Sequence, residues 1–124
     1  MLQRFVVMTT AWLEIVAGAT ILTVPGVASR LLFAAQPGSV GITLGRCAGV
    51  GILSLGIACL PSKAIESRRG AVFGLLVYNV GVTILFAWAG VATTLSGVLL
   101  WPAAVLHAFI AAALLPQLLP LKNS

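Results

Sequence analysis

Four apolar runs, each about 20 residues long, restrict this chain more than any other feature of its sequence. They cover residues 5–24, 40–60, 71–92 and 98–119. An α-helix rises about 1.5 Å per residue, so about 20 residues cross a hydrocarbon layer about 30 Å thick. Within such a layer every backbone N–H and C=O needs an internal partner, and a helix supplies one. Pro25-Gly26, Pro37-Gly38 and Pro61 stand at the breaks, and Pro102 stands near the start of the last run. Proline costs least at a helix start, where its missing N–H would have had no partner. The expected fold is all-α, an integral-membrane four-helix bundle formed by residues 1–124 as a single transmembrane domain.

Composition supports the same class. Hydrophobic residues make up 60% of the chain and charged residues 7%, and the mean hydropathy is +1.16. A water-soluble domain carries about 25% charged residues. The net charge of +5 is large for 124 residues. The basic residues are scattered, however, and mostly sit at the ends of apolar runs. That spacing builds no phosphate-tracking face, so the expected partner is a lipid bilayer and not a nucleic acid. Arg4 followed by an apolar run and Gly26-Val27-Ala28 imitates a signal peptide. The run exceeds the roughly 7–15 residues of such a segment, and Glu14 interrupts it, so it reads as a retained span.

Arg4, Lys63, Arg68, Arg69 and Lys122 fall on one side of a four-span layout, and only Arg30 lies in a loop on the other. The positive-inside rule then places both termini and the loop PSKAIESRRG, residues 61–70, in the cytoplasm. The connection TTLSG is short and predicts a tight hairpin between spans three and four. Trp88 and Trp101 fall near the outer interface, where amphipathic rings settle. The first connection, VASRLLFAAQ at residues 27–36, has two readings: a short helix on the outer surface, or an ordinary apolar loop.

Each span contains one strongly polar residue: Glu14, Arg46, Asn79 and His107. A charge at mid-membrane costs at least about 2.5–3.5 kcal/mol, so such groups usually face a bundle interior or a wet cavity. Counted inward from the outer ends of the runs, Arg46 lies about 9 Å deep, His107 about 14 Å, Glu14 about 15 Å and Asn79 about 20 Å. This ladder predicts an intramembrane polar cluster of Glu14, Arg46, Asn79 and His107, with Glu14 paired to Arg46 directly or through water. Arg46 has a second reading, snorkelling to the outer headgroups. For Glu14 the bland reading is a structural ion pair with Arg46 or His107; the functional one is a titratable or cation-binding carboxylate. Asn79 reads as an interhelical hydrogen bonder and His107 as a hydrogen-bonded core histidine. Tyr78 reads as packing.

Small residues surround these positions. Gly41, Gly45 and Gly49 recur at a spacing of four beside Arg46, and Gly18 lies one turn beyond Glu14. Such residues let helices approach closely, inside one bundle or between copies. Trp12 lies about 200° around the helix from Glu14 and should face lipid or a partner. Cys47 and Cys59 are about 18 Å apart along one helix, beyond the roughly 7 Å a disulfide allows. No metal-ligand spacing, phosphate loop or nucleophile elbow is present, so no metal, cofactor or catalytic residue is expected. A bis-histidine haem would need two copies, since there is one histidine.

Two resemblances follow from these residues. LEIVAGAT, residues 13–20, resembles helix one of the small multidrug resistance transporters. There a glutamate followed by small residues binds protons and cationic drugs in competition within a dimer. Only Glu14 carries over, because Arg46 and His107 depart from that family's apolar spans. Glu14 with Gly18, LGRCAGVGILSLGIACL (44–60), LVYNV (76–80) and WPAAVLHA (101–108) resemble uncharacterised small bacterial four-helix membrane proteins, DoxX-like in size and layout. That resemblance implies a multi-pass protein of a bacterial inner membrane and no particular reaction.

Three function classes remain open. The leading expectation is a small accessory or scaffold subunit that binds other membrane-protein subunits or forms a homo-oligomer through its small-residue faces. The alternative is a small proton-coupled transporter that uses Glu14. A quinone- or haem-binding redox subunit built on His107 has the least support, because a catalytic site normally needs more convergent polar groups.

Overall fold

A computed structural model of the chain describes residues 2–60 and 65–118. It is helical, and its elements in order are α1 (Leu2–Thr23), α2 (Pro25–Phe33), α3 (Ser39–Ala58), α4 (Ile65–Ala92) and α5 (Leu100–Leu114). A 3-10 turn, Leu115–Gln117, closes α5. Four of these helices, α1, α3, α4 and α5, are long and apolar enough to cross a membrane.

Local chemistry explains where the helices stop. The last turn of α1 closes with Val24 N–H donating to Thr20 O at 2.9 Å. Pro25 has no N–H to continue the ladder, and α2 starts with Pro25 in its first turn. The first connection is therefore a helix, and it begins immediately after α1. It ends at Ala34, which takes the left-handed conformation (φ 54°) and donates to Arg30 O at 2.9 Å. Two further carbonyls near the end of α2 are capped from elsewhere in the chain. Leu31 O accepts from Leu99 N–H at 2.8 Å, and Phe33 O accepts from Ser96 N–H at 3.3 Å. The α4–α5 loop thus supplies donors that α2 cannot supply itself. Gly97 makes this approach possible, since a Cβ there would overlap the Leu31 and Leu32 carbonyls.

Two boundaries differ from the sequence reading. Helix α4 starts at Ile65, so much of the expected loop PSKAIESRRG is helical. Residues such as Glu and Arg are good helix formers, and nothing from Ile65 to Arg69 breaks a helix. Helix α5 ends at Leu114, ahead of Pro116, where the fourth span had been expected to run on. Pro102 sits in the first turn of α5, where it costs no hydrogen bond. Lys63, Lys122 and residue 119 lie outside the described residues.

The long helices form two antiparallel pairs, α1 with α3 and α4 with α5, and the pairs meet mainly along α1 and α5. The buried cluster where they meet consists of Val7, Ala11, Cys59, Val72, Leu75, Ile110 and Leu114. In α1, Val7, Ala11, Glu14 and Gly18 recur every three or four residues and form one buried stripe. The stripe in α5 is Leu100, Ala104, Ala111 and Leu114, with His107 at the middle. Hydroxyls elsewhere in the spans are satisfied within their own helix. Thr10, Thr20, Thr43, Ser54 and Thr83 each donate to the carbonyl four residues back.

Candidate functional site: a buried Glu–Asn–His chain

The α1 and α5 stripes, with the buried α4 residues Val72, Leu75 and Asn79, bring Glu14, Asn79 and His107 together above the apolar cluster. Glu14 is 2% exposed and Asn79 0%. Asn79 is the hub. Its Nδ2 donates to Leu75 O at 2.8 Å and to Glu14 Oε1 at 3.4 Å, the second being long for a hydrogen bond. Its Oδ1 meets His107 Nδ1 at 2.7 Å.

The orientation of the amide follows from its neighbours. The Leu75 carbonyl can only accept, so the Asn79 NH₂ must face it and Oδ1 must face His107. An oxygen that accepts requires a proton on His107 Nδ1, which fixes the tautomer of the neutral ring with Nε2 as its bare nitrogen. The hydrogen bonds therefore run in one direction, from His107 through Asn79 to Glu14. Tyr78 and Phe86 hold the imidazole edge-on, with ring centroids 5.7 and 6.1 Å away. Phe33 of α2 packs on Phe86 at 5.7 Å, so the short helix α2 touches the shell of the site.

Arg46 is not part of this chain, and its expected pairing with Glu14 is overturned. The α1–α3 crossing shows why. Gly49 faces Leu22 and the Gly18 carbonyl, and Gly56 faces Ala11 and Ile15. Gly45 meets Pro25. In that antiparallel register Glu14 is level with Gly56, and Arg46 is level with Pro25. Ten residues of α3 separate the two levels, about 15 Å. Counting depth from the ends of the apolar runs had assumed that α1 and α3 end at the same height. Instead α3 extends about two turns past the end of α1, alongside α2. Arg46 is exposed there.

The predicted packing glycines divide in the same way. Gly18 and Gly49 are buried in the crossing. Gly45 is half-buried against Pro25, and Gly41 is exposed next to Pro37. Gly56, which the strip at a spacing of four omitted, completes the contact. Leu75 was also missed, although a polar side chain in a helix commonly bonds the carbonyl four residues back. Trp12 is 53% exposed, on the face turned away from the bundle. Cys47 is exposed, Cys59 is buried, and both are free thiols. Among the described residues no group of three or more His, Cys, Asp or Glu side chains is placed to hold a metal ion.

No family model, no curated protein and no solved structure matches this chain.

Proposed function

We propose that this protein is a small integral-membrane accessory or scaffold subunit of a bacterial inner membrane. Both termini face the cytoplasm, and the chain assembles through α3 with other membrane proteins or with copies of itself. The observation that supports this reading is the bareness of α3. Only 11% of its membrane-length window is buried, against 28% for α1 and for α5. Thr43, Cys47, Gly51, Ser54 and Ala58 follow one another along its exposed side at spacings of three or four. A Cβ added at Gly51 would meet nothing within 4 Å. Small residues at this spacing suit the close approach of another helix. The polar chain fits the same reading as an internal fastener, since every buried side-chain nitrogen and oxygen among the described residues has a partner.

The test is Gly51→Leu, read by the size of the assembly extracted in mild detergent. The wild type should run as a complex and the variant as a smaller species with unchanged helicity. A wild type that is monomeric in its own membrane, with Cys47 uncrosslinked by a lipid-soluble bismaleimide, would refute the proposal.

One observation favours the second reading, a proton-coupled carrier. Among the described residues no cation pairs with Glu14, which is held by a single long hydrogen bond. Proton-coupled flux into liposomes that disappears with Glu14→Gln, while the assembly stays intact, would support transport over scaffolding.

A further inference from the structure

Arg46 carries a charge that no acidic side chain of this protein can balance. The whole chain has two acidic residues, Glu14 and Glu66. Glu14 is about 15 Å lower along α3 and is bonded to Asn79. Glu66 belongs to the first turn of α4, at the opposite end of the bundle. The exposed guanidinium is therefore free to take an anion from outside the chain.

Its height indicates the source. Arg4 lies ten residues from Glu14, and Arg69 lies ten from Asn79, about 15 Å below the polar chain in each case. Arg69 donates to Leu118 O at 3.1 Å, which ties the two lower helix ends together. Above the chain, Trp88 is nine residues from Asn79, about 13 Å, and Trp101 is six from His107, about 9 Å. Both indoles are exposed, at 62% and 49%. Arg46 stands about 15 Å above the chain. Exposed basic residues thus bracket about 30 Å, the thickness of a hydrocarbon core, with the polar chain at its middle. Arg46 lies at the upper edge, where the phosphates of the outer leaflet begin.

We propose that Arg46 binds the headgroup phosphate of one anionic phospholipid from the outer leaflet, seated against the first turns of α3. The guanidinium presents a planar fork that matches two phosphate oxygens. Ser39 and Arg46, seven residues apart, share one exposed face of α3. Arg30, the other cation at this end among the described residues, lies against the Gln36 side-chain amide on the α2 side. The inference rests on the membrane placement proposed above; failure of that placement would show separately, as a purified chain that retains no lipid of any kind.

The experiment is a titration of the purified full chain in detergent with phosphatidylglycerol, read by native mass spectrometry. Wild type should hold one lipid about tenfold more tightly than Arg46→Gln, the loss expected for one charged hydrogen-bonded contact. Arg46→Lys keeps the charge but loses the planar fork, so it should bind between wild type and Arg46→Gln, and Arg30→Gln should bind as wild type does. Millimolar inorganic phosphate should not displace the lipid. Three results would each overturn the proposal. One is equal binding by wild type and Arg46→Gln. Another is full displacement by inorganic phosphate, which would make the site one for a free anion. The third is unchanged lipid binding with loss of the assembly in Arg46→Gln, which would assign the counter-charge to a partner's carboxylate.

Discussion

Asn79 has one job that no other side chain in the bundle can take over: it donates to α1 and accepts from α5 at the same time. Leucine at this position would fill a similar volume and do neither. Asn79→Leu leaves the His107 N–H and the Glu14 carboxyl without a protein partner, at a cost of about 1–3 kcal/mol for a buried group. Unfolding by SDS in mixed micelles should show the loss as a lower midpoint. Glu14→Gln should behave differently, because glutamine still offers an oxygen to the Asn79 amide; its midpoint should stay within about 1 kcal/mol. The nitrogen spectrum of His107 should report a proton on Nδ1 in wild type and in Glu14→Gln, and a mixture of tautomers in Asn79→Leu. Three of the four polar residues were legible as inward-facing from the sequence, since burying a hydrogen-bonding group in an apolar helix is costly unless it has partners. Arg46 is exposed instead, and the sequence does not say how high α3 stands beside α1.

At the scale of elements, the α1–α3 crossing rests on backbone packed against backbone. A Cβ on Gly49 would lie 2.6 Å from Leu22 N, and one on Gly56 would lie 2.8 Å from Ala11 O. These atoms belong to helix backbones and cannot move aside alone. Gly49→Ala should therefore force the helices apart and lower the SDS midpoint by about 1–3 kcal/mol, as overpacking does. Gly51→Ala meets open space on the same helix, and the gain in helix propensity should leave stability unchanged or slightly improved. The contrast separates packing from any general intolerance of α3 to substitution. It also explains why the glycine strip was read only in part. Residues four apart rotate by about 40° per step, so Gly41, Gly45 and Gly49 drift off a common face. Residues seven apart return to within about 20°, so Gly49 and Gly56 stay in the seam. The helical reading of residues 27–36 depended on capping by a distant loop, which no local pattern announces. The helices themselves were legible to within a few residues, except where α4 continued into a charged segment and α5 stopped ahead of Pro116.

The whole molecule consists of two helix pairs held together by a thin set of contacts. Within each pair the helices run side by side over much of their length; between pairs there are the apolar cluster at one end, the α2 hydrogen bonds to the α4–α5 loop at the other, and the polar chain in the middle. This division predicts that the chain can be cut. Residues 1–60 and 61–124, produced together as separate pieces, should each insert as a helix pair and reassociate, because helices that are stable singly in a bilayer can pack afterwards. In the intact chain the short connection holds the pairs at a high effective concentration, so loss of one contact is buffered. The split form has no such support. Asn79→Leu should then reduce recovery of the complex of the two pieces by about tenfold, the equivalent of about 1.4 kcal/mol, even where the uncut variant still folds. Glu14→Gln should leave recovery close to wild type. Co-purification of the two pieces, one of them tagged, measures both. Equal recovery in all three forms would mean that the apolar cluster and the α4–α5 loop suffice to join the halves. The polar chain would then have been kept for something other than cohesion, and the transport reading of Glu14 would move ahead of the scaffold.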